Sequence, residues 1–374
     1  MSHGSTDAPR DRENGELGGI LDAAVSGNRL SEEDALRLFM VSDRLVWDIA
    51  RAADELREAV IGNQVTYVRN QNINVTNYCV NTCGFCGFSR KLGDEGGYYH
   101  DPDVIREKAA LAKRRKVTEI CTVSGLHPDF NAESYVEIFT AIREGAPGIH
   151  IHASNPMEVA YAARKSGITT LEVLRMMKDA GLGSLCGTAA EILVDEVRQV
   201  ICPGKISTDE WVRIIREAHR LGIRSTATIM YGHCETVQDR VRHLSILRTI
   251  QDETGGFTEF VPLSFIHMNT PLFRKGIARA GATGREDLLM TAVSRLFLDT
   301  IDHIQVSWVK TGVKMAQLGL LAGADDLGGT MFEESISKGA GARDTDYLDP
   351  AEMERLAADI GRPLRQRDTL YHLI

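Results

Sequence analysis

INVTNYCVNTCGFCGFSR, residues 73–90, opens as a short β-rich run and then sets three cysteines, Cys79, Cys83 and Cys86, within eight residues. The helical run DPDVIREKAALAKRR (101–115) follows it. Strand, loop and helix in that order make half of a parallel βαβ unit, and the rest of the chain repeats the alternation. Further candidate strands are VTEICTV (117–123), IHIHA (149–153), LGSLC (182–186), RSTATIM (224–230), FTEFVPL (257–263), HIQVSW (303–308) and LGLLAGA (318–324). Between them lie helical stretches such as PMEVAYAARKSG (156–167), TDEWVRIIREAHRLG (208–222) and VQDRVRHLSILRTIQDETGG (237–256), with apolar residues three and four apart. Eight strands alternating with helices predict an α/β fold, a (β/α)8 TIM-type barrel. The main variant is a six-strand open barrel with added elements.

Outward from this core, residues 1–17 are polar, carry mixed charge and show no period, so a disordered tail is expected. Residues 18–60 read as an N-terminal helical layer, in which Ser31 and Asp34 are spaced close to a capping box. The barrel is expected over 61–345, and 346–374 as a C-terminal helix and tail packed on its outside. The chain has 374 residues, with 43 Lys and Arg against 52 Asp and Glu, a net charge of −9. That balance argues against broad nucleic-acid binding. No apolar run reaches membrane-span length, none near Met1 looks like a secretion signal, and seven unevenly spread cysteines are no disulfide scaffold. A cytoplasmic protein with neither membrane nor nucleic acid as partner is expected.

The spacing Cys79-x3-Cys83-x2-Cys86 suits three irons of a cubane [4Fe-4S] cluster and leaves the fourth iron open for a ligand. A structural zinc site would want a second cysteine pair, which is absent nearby. Following the first strand, the triplet belongs at the C-terminal mouth of the barrel, where barrel enzymes keep their active sites. Phe85, between the last two cysteines, would shield a cluster from water.

Polar residues gather at the other strand ends. They are Ser124, Gly125 and His127 after the second strand, and His150 and His152 in the third. Glu191 and Arg198 follow the fourth, and the run Tyr231-Gly232-His233-Cys234-Glu235 follows the fifth. Glu259 lies in the sixth, with Ser264 and His267 at its exit. Gly125 would let the backbone approach a ligand closely. Glu259, flanked by apolar residues, is either a substrate ligand at the mouth or half of a structural ion pair. Arg198 and Lys205 have the plainer reading of helix-surface charges, and Cys121, Cys186 and Cys234 that of small buried hydrophobes rather than a second metal site.

The cysteine motif resembles the signature of the radical S-adenosylmethionine superfamily. Within it, TEICTVSGLHPDF, IHIHASNPMEV, CGTAAEILVDEVRQVICPGKISTDEW, RSTATIMYGHCET, HLSILRTIQDETGGFTEFVPLSF and DDLGGTMFEESI are similar to a small group acting in deazaflavin and menaquinone synthesis. GTAAEI and TEFVPL point to the tyrosine-using subunit of deazaflavin synthase. The likeness spans about residues 60–370. It implies one [4Fe-4S] cluster with an open iron, S-adenosyl-L-methionine, and a deoxyadenosyl radical that takes hydrogen from the tyrosine amino group. The tyrosine Cα–Cβ bond then breaks, and a 4-hydroxybenzyl group joins 5-amino-6-(D-ribitylamino)uracil. It also implies a separate cyclising subunit and a small flavodoxin- or ferredoxin-type electron donor.

By the same resemblance Cys79, Cys83 and Cys86 hold the cluster. Ser124, Gly125, Glu191, Arg198, Tyr231, Gly232 and Glu235 are expected on the cofactor, and His152, His233, Glu259 and His267 on the substrate. The chain departs from the group at Val123-Ser124-Gly125, Ser154-Asn155, Cys186, Asp325 and Met331-Phe332, several of them expected at the mouth. The alternatives are an aminofutalosine or cyclic dehypoxanthine futalosine synthase, a divergent relative with another acceptor, and a non-catalytic iron–sulfur scaffold.

Overall fold

The computed structural model describes residues 8–42, 44–343 and 346–374. The described residues form nine strands: β1 Val65–Val68, β2 Asn70–Asn72, β3 Glu119–Thr122, β4 His150–Ala153, β5 Leu182–Leu185, β6 Arg224–Tyr231, β7 Phe257–Ser264, β8 Asp326–Gly329 and β9 Leu364–Arg367. All pairings between them are parallel, in one sheet of order β2-β3-β4-β5-β6-β7 and another of order β8-β1-β9. Single parallel bridges, Phe260 to Ile304 and Gln305 to Asp326, carry the six-stranded sheet toward β8. The result is a curled, partial parallel barrel with helices outside, as the alternating pattern predicts.

The strands differ from their expected positions in three places. The first begins at Val65, is interrupted at Arg69 and ends at Asn72, so INVTN is the extended exit from it. The seventh is reduced to the two bridges at 304–305. LGLLAGA belongs to the helix Val313–Leu320 and the turn after it, and the eighth strand is Asp326–Gly329. Ala316, Gly319 and Leu320 are buried, a three-and-four spacing that serves a helix and not a strand.

Alternation along each strand sorts the barrel interior from the layer beneath the helices. Ile120, Ile151, Ile229 and Phe260 are fully or almost fully buried in the main apolar core. Their neighbours Glu119, Cys121, His152, Thr228, Met230, Glu259 and Val261 face the interior cavity. Register carries one level around the barrel, Asn72 beside Cys121, Cys121 beside His152 and His152 beside Ser184.

Both ends of the chain depart from expectation. Of the tail expected over 1–17, residues 1–7 lie outside the described residues, and the helix Ala8–Val25 covers the rest. Leu17 and Leu21 are buried in the main core, which gives this segment the apolar anchor that its polar start concealed. The capping box of the next helix forms, with Asp34 N–H donating to Ser31 Oγ at 3.1 Å and Ser31 N–H to Asp34 Oδ2 at 3.0 Å. At the other end the helix Pro350–Asp359 is followed by β9, which pairs with β1 from Val65–Leu364 to Val68–Arg367. The C-terminal tail therefore enters the sheet at the N-terminal end of the barrel and brings Arg367 inside.

Candidate active site

The loop 77–90 is held by the chain itself. Cys79 N–H donates to Arg90 O (3.0 Å), Val80 N–H to Leu126 O (3.0 Å) and Gly84 N–H to Ile201 O (2.8 Å). Lys91 Nζ donates to the carbonyls of Cys79, Val80 and Asn81, and the Arg90 guanidinium to those of Gly87, Phe88 and Ser89. These contacts satisfy backbone groups that a long irregular loop would otherwise leave unmet. Gly125 is required here: its N–H donates to Thr76 O at 2.8 Å, and a Cβ would stand 2.2 Å from Tyr78 O.

Cys79, Cys83 and Cys86 line a cavity of about 380 Å³ that runs down the barrel interior, with Phe85, Phe88, Leu126, Val261 and Leu263 among its apolar walls. Burial pushes the Cys83 thiol up to about 12. A bare thiolate is disfavoured there, and a bound cation would offset its charge. Among the described residues no three Cys, His, Asp or Glu side chains converge on a single-ion site. A cubane cluster spreads its thiolates over separate irons, so its ligands stand farther apart than those of one ion, and three thiols on one wall fit that chemistry.

Ser124 and Gly125 line the cavity as expected, Ser124 Oγ accepting from Val75 N–H at 2.8 Å. Glu191 lines it too, paired with Lys205 at 2.5 Å, so Lys205 is no surface charge. His152 faces the same space, with Nδ1 2.7 Å from Ser184 Oγ, and burial lowers its pKa to about 4, leaving it neutral. Cys121 and Cys186 also face the cavity, whereas Cys234 does not.

Glu259 lies near the start of β7, deep in the barrel and away from its mouth. Its Oε2 accepts from Gln305 Nε2 (3.1 Å), Arg367 Nη2 (3.2 Å) and Tyr371 OH, the ion-pair alternative of the two readings. Asp325, one of the departures, sits among Arg295 Nη2, His303 Nδ1 and Ile304 N–H, each at 2.7 Å. It too is buried under the barrel and away from the mouth.

Six expected cofactor or substrate residues stay behind the cavity wall. The Tyr231 hydroxyl donates to Asp287 Oδ1 at 2.7 Å. Gly232 and His233 N–H donate to the Glu235 carboxylate at 2.7 and 2.8 Å, and Arg240 closes the turn from outside. His233 Nε2 donates to Met230 O at 3.0 Å, and His267 packs edge-on against Phe273 with ring centres 4.4 Å apart. Arg198 is buried beneath Ala189–Ile192 and donates to the carbonyls of Ala189, Ala190, Ile192 and Ile206. These groups shape the turns that present Glu191 and Met230, which do line the cavity.

Sequence reasoning missed Glu158, Glu119, Lys310 and Arg367, all on the cavity wall. Glu158 is buried with one oxygen, Oε2, lacking a hydrogen-bond partner among the described residues. The only signal was a carboxylate inside the apolar run PMEVAYAA. Burial pushes its carboxyl up to about 8 against the pull of the Ser124 and Asn155 N–H groups and Lys205. The folded chain thus keeps a proton that the unfolded chain releases above its ordinary value of 4.5. The contribution of Glu158 to stability falls as pH rises from there to about 8 and is level beyond. Glu158→Gln, neutral at every pH, is expected to flatten this fall. Urea unfolding of the reduced, metal-free chain at acidic and alkaline pH reads it, and equal losses in both proteins would contradict a buried neutral carboxyl.

Residues 73–247 match the family profile of the radical SAM superfamily, and 254–370 that of the CofH/MqnC C-terminal region. The chain is 72% identical over 360 residues to a protein of Methanosphaerula palustris named 5-amino-6-(D-ribitylamino)uracil–L-tyrosine 4-hydroxyphenyl transferase, covering 96% of this chain and 99% of that one. A protein of the same name from Methanoculleus marisnigri is 70% identical, covering 95% and 97%. The chain belongs to this radical SAM family. It is therefore an enzyme that uses S-adenosylmethionine and an iron–sulfur centre, and the matched span takes in the 77–90 loop. Among solved structures, methylornithine synthase matches with a TM-score of 0.72 at 20% identity, covering 92% of this chain and 97% of that one. A maturase of the [FeFe]-hydrogenase matches with 0.74 at 16%, covering 96% and 80%. Likeness at that identity speaks for the fold alone. Among the described residues no helix is long and apolar enough to cross a membrane.

Proposed function

We propose that this chain transfers the 4-hydroxybenzyl group of L-tyrosine to 5-amino-6-(D-ribitylamino)uracil in deazaflavin synthesis. The observation that carries the reading is the 72% identity, end to end, with a transferase so named. Such identity also weighs against a changed acceptor, because the departures lie in a chain otherwise shared along its length.

In this reading Cys79, Cys83 and Cys86 hold one [4Fe-4S] cluster with an open iron, beside S-adenosyl-L-methionine. When bound and reduced, that pair supplies a 5′-deoxyadenosyl radical. The chain supplies position and exclusion of water. Ser124, Gly125 and the free Glu158 oxygen form a polar strip suited to the methionine ammonium, and Glu191 with Lys205 lies on the cofactor side. His152, a neutral buried imidazole, is the substrate-side group, with Glu259 beneath it held by Arg367. Arg198, Tyr231, Gly232, His233 and Glu235 position the turns around them, and His267 packs on Phe273 behind the wall. Phe85, Leu126, Val261 and Leu263 keep the radical from solvent. A separate cyclising subunit would consume the product, a flavodoxin- or ferredoxin-type donor would reduce the cluster, and the cytoplasm is the expected compartment.

The test is anaerobic. Protein reconstituted with iron and sulfide is given reductant, S-adenosylmethionine, tyrosine and the ribitylaminouracil, and products are read by mass. Deoxyadenosine and the coupled product should appear together and require both substrates. Deoxyadenosine without coupling would overturn the substrate assignment and turn the search to futalosine precursors.

A further inference from the structure

Among the described residues three Lys or Arg side chains line the cavity, and two are committed. Lys205 holds Glu191, and Arg367 holds Asp326 and Glu259. The third, Lys310, has no hydrogen bond or ion pair at Nζ among the described residues. Its base is fixed. The short helix Trp308–Thr311 is tied by Lys310 N–H to Ser307 O (2.9 Å) and Gly312 N–H to Trp308 O (2.8 Å), and Trp308 Nε1 donates to Gly329 O at 2.9 Å. Enclosure lowers the pKa of the ammonium, while Glu334, Glu191 and Cys86 oppose this from beyond ion-pair reach. An enclosed charge without a partner is costly, and an entering anion recovers that cost.

The surroundings restrict the anion. Glu334 shares the wall and Glu191 already holds Lys205, so a multiply charged phosphate would find one free cation with a carboxylate nearby. A zwitterion fits better, since it brings an ammonium for the unpartnered Glu158 oxygen. We propose that Lys310 anchors the α-carboxylate of an amino-acid ligand. This rests on the reading above for its two sources, L-tyrosine and the methionine end of S-adenosylmethionine, which present the same chemistry.

Lys310→Gln and Lys310→Arg are prepared as reconstituted holoenzyme, with iron content and visible absorption matching the wild type. Tyrosine binding is measured by calorimetry without reductant, and S-adenosylmethionine binding by its perturbation of the reduced cluster's electron paramagnetic resonance signal. Lys310→Gln should weaken one of the two by about 10- to 100-fold, the scale of a lost charge-assisted hydrogen bond, and Lys310→Arg should recover most of it. If tyrosine is the ligand, tyramine, which lacks the carboxylate, binds wild type and Lys310→Gln alike. If the cofactor is the ligand, the resonance titration shifts and the calorimetry does not. Unchanged affinity for both, or Lys310→Arg as weak as Lys310→Gln, overturns the proposal. Both readouts precede turnover, so a wild type that binds tyrosine yet forms no coupled product would sink the proposed reaction and leave this test intact.

Discussion

Alanine at Cys79, Cys83 or Cys86 is expected to strip the reconstituted protein of most of its iron and to lower reductive cleavage of S-adenosylmethionine by about 10³-fold or more, because the cofactor carries the hard step. The fold should survive. All three cysteines are only partly buried, and their loop is secured by Arg90, Lys91 and backbone contacts that do not involve the thiols. Alanine at Cys202, which is buried outside the cavity, serves as the control and should keep its iron. Iron analysis, visible absorption and deoxyadenosine formation read the result. A Cys79, Cys83 or Cys86 variant that keeps full iron and cleavage would remove that thiol from the ligand set.

Arg367→Met is expected to lower stability by about 3–5 kcal/mol, the cost of leaving buried carboxylates without their cation. Arg367 Nε and Nη2 meet the two Asp326 oxygens at 2.5 and 3.0 Å, Nη2 also meets Glu259, and the guanidinium lies 3.9 Å from the centre of the Tyr371 ring. Asp326 has little else to balance its charge, accepting from Thr66 Oγ1 and Gly328 N–H, each at 2.6 Å. Burial and its acidic neighbours push Glu259 up to about 7 even with Arg367 in place. Without Arg367 its carboxyl should take up a proton at still higher pH, so the destabilisation should be smaller in acid than in base. Urea midpoints at two pH values test both statements. An unchanged midpoint would mean that β9 does not secure the barrel.

The cysteine motif was legible because it is local. Three thiols within eight residues need no knowledge of the fold, and the loop's place after a strand already put them at the mouth. The alternation of short β-rich runs with amphipathic helices was legible for the same reason, since period two and period 3.6 are written along the chain. Where the signal weakened, the reading slipped. LGLLAGA carries apolar residues that suit either state, and the flanking Gly312 and the burial of Ala316 and Leu320 decide for helix.

The rest of the site was written between elements. Tyr231, Glu235, His233 and Arg198 look like ligands in a list of polar residues, yet each is consumed by a neighbour that the turn brings back to it. Glu158 and Lys310 look like ordinary helical charges, yet both end on the cavity wall, where among the described residues Glu158 Oε2 and Lys310 Nζ have no partner. Sequence by itself determined the chemistry and the class of fold, because metal-ligand spacing and hydrophobic period are short-range properties. Only the tertiary structure decided which charges are spent and which are free. Whether a buried charge has a partner depends on residues as far apart as Glu259 and Arg367, which meet only once β9 has entered the sheet.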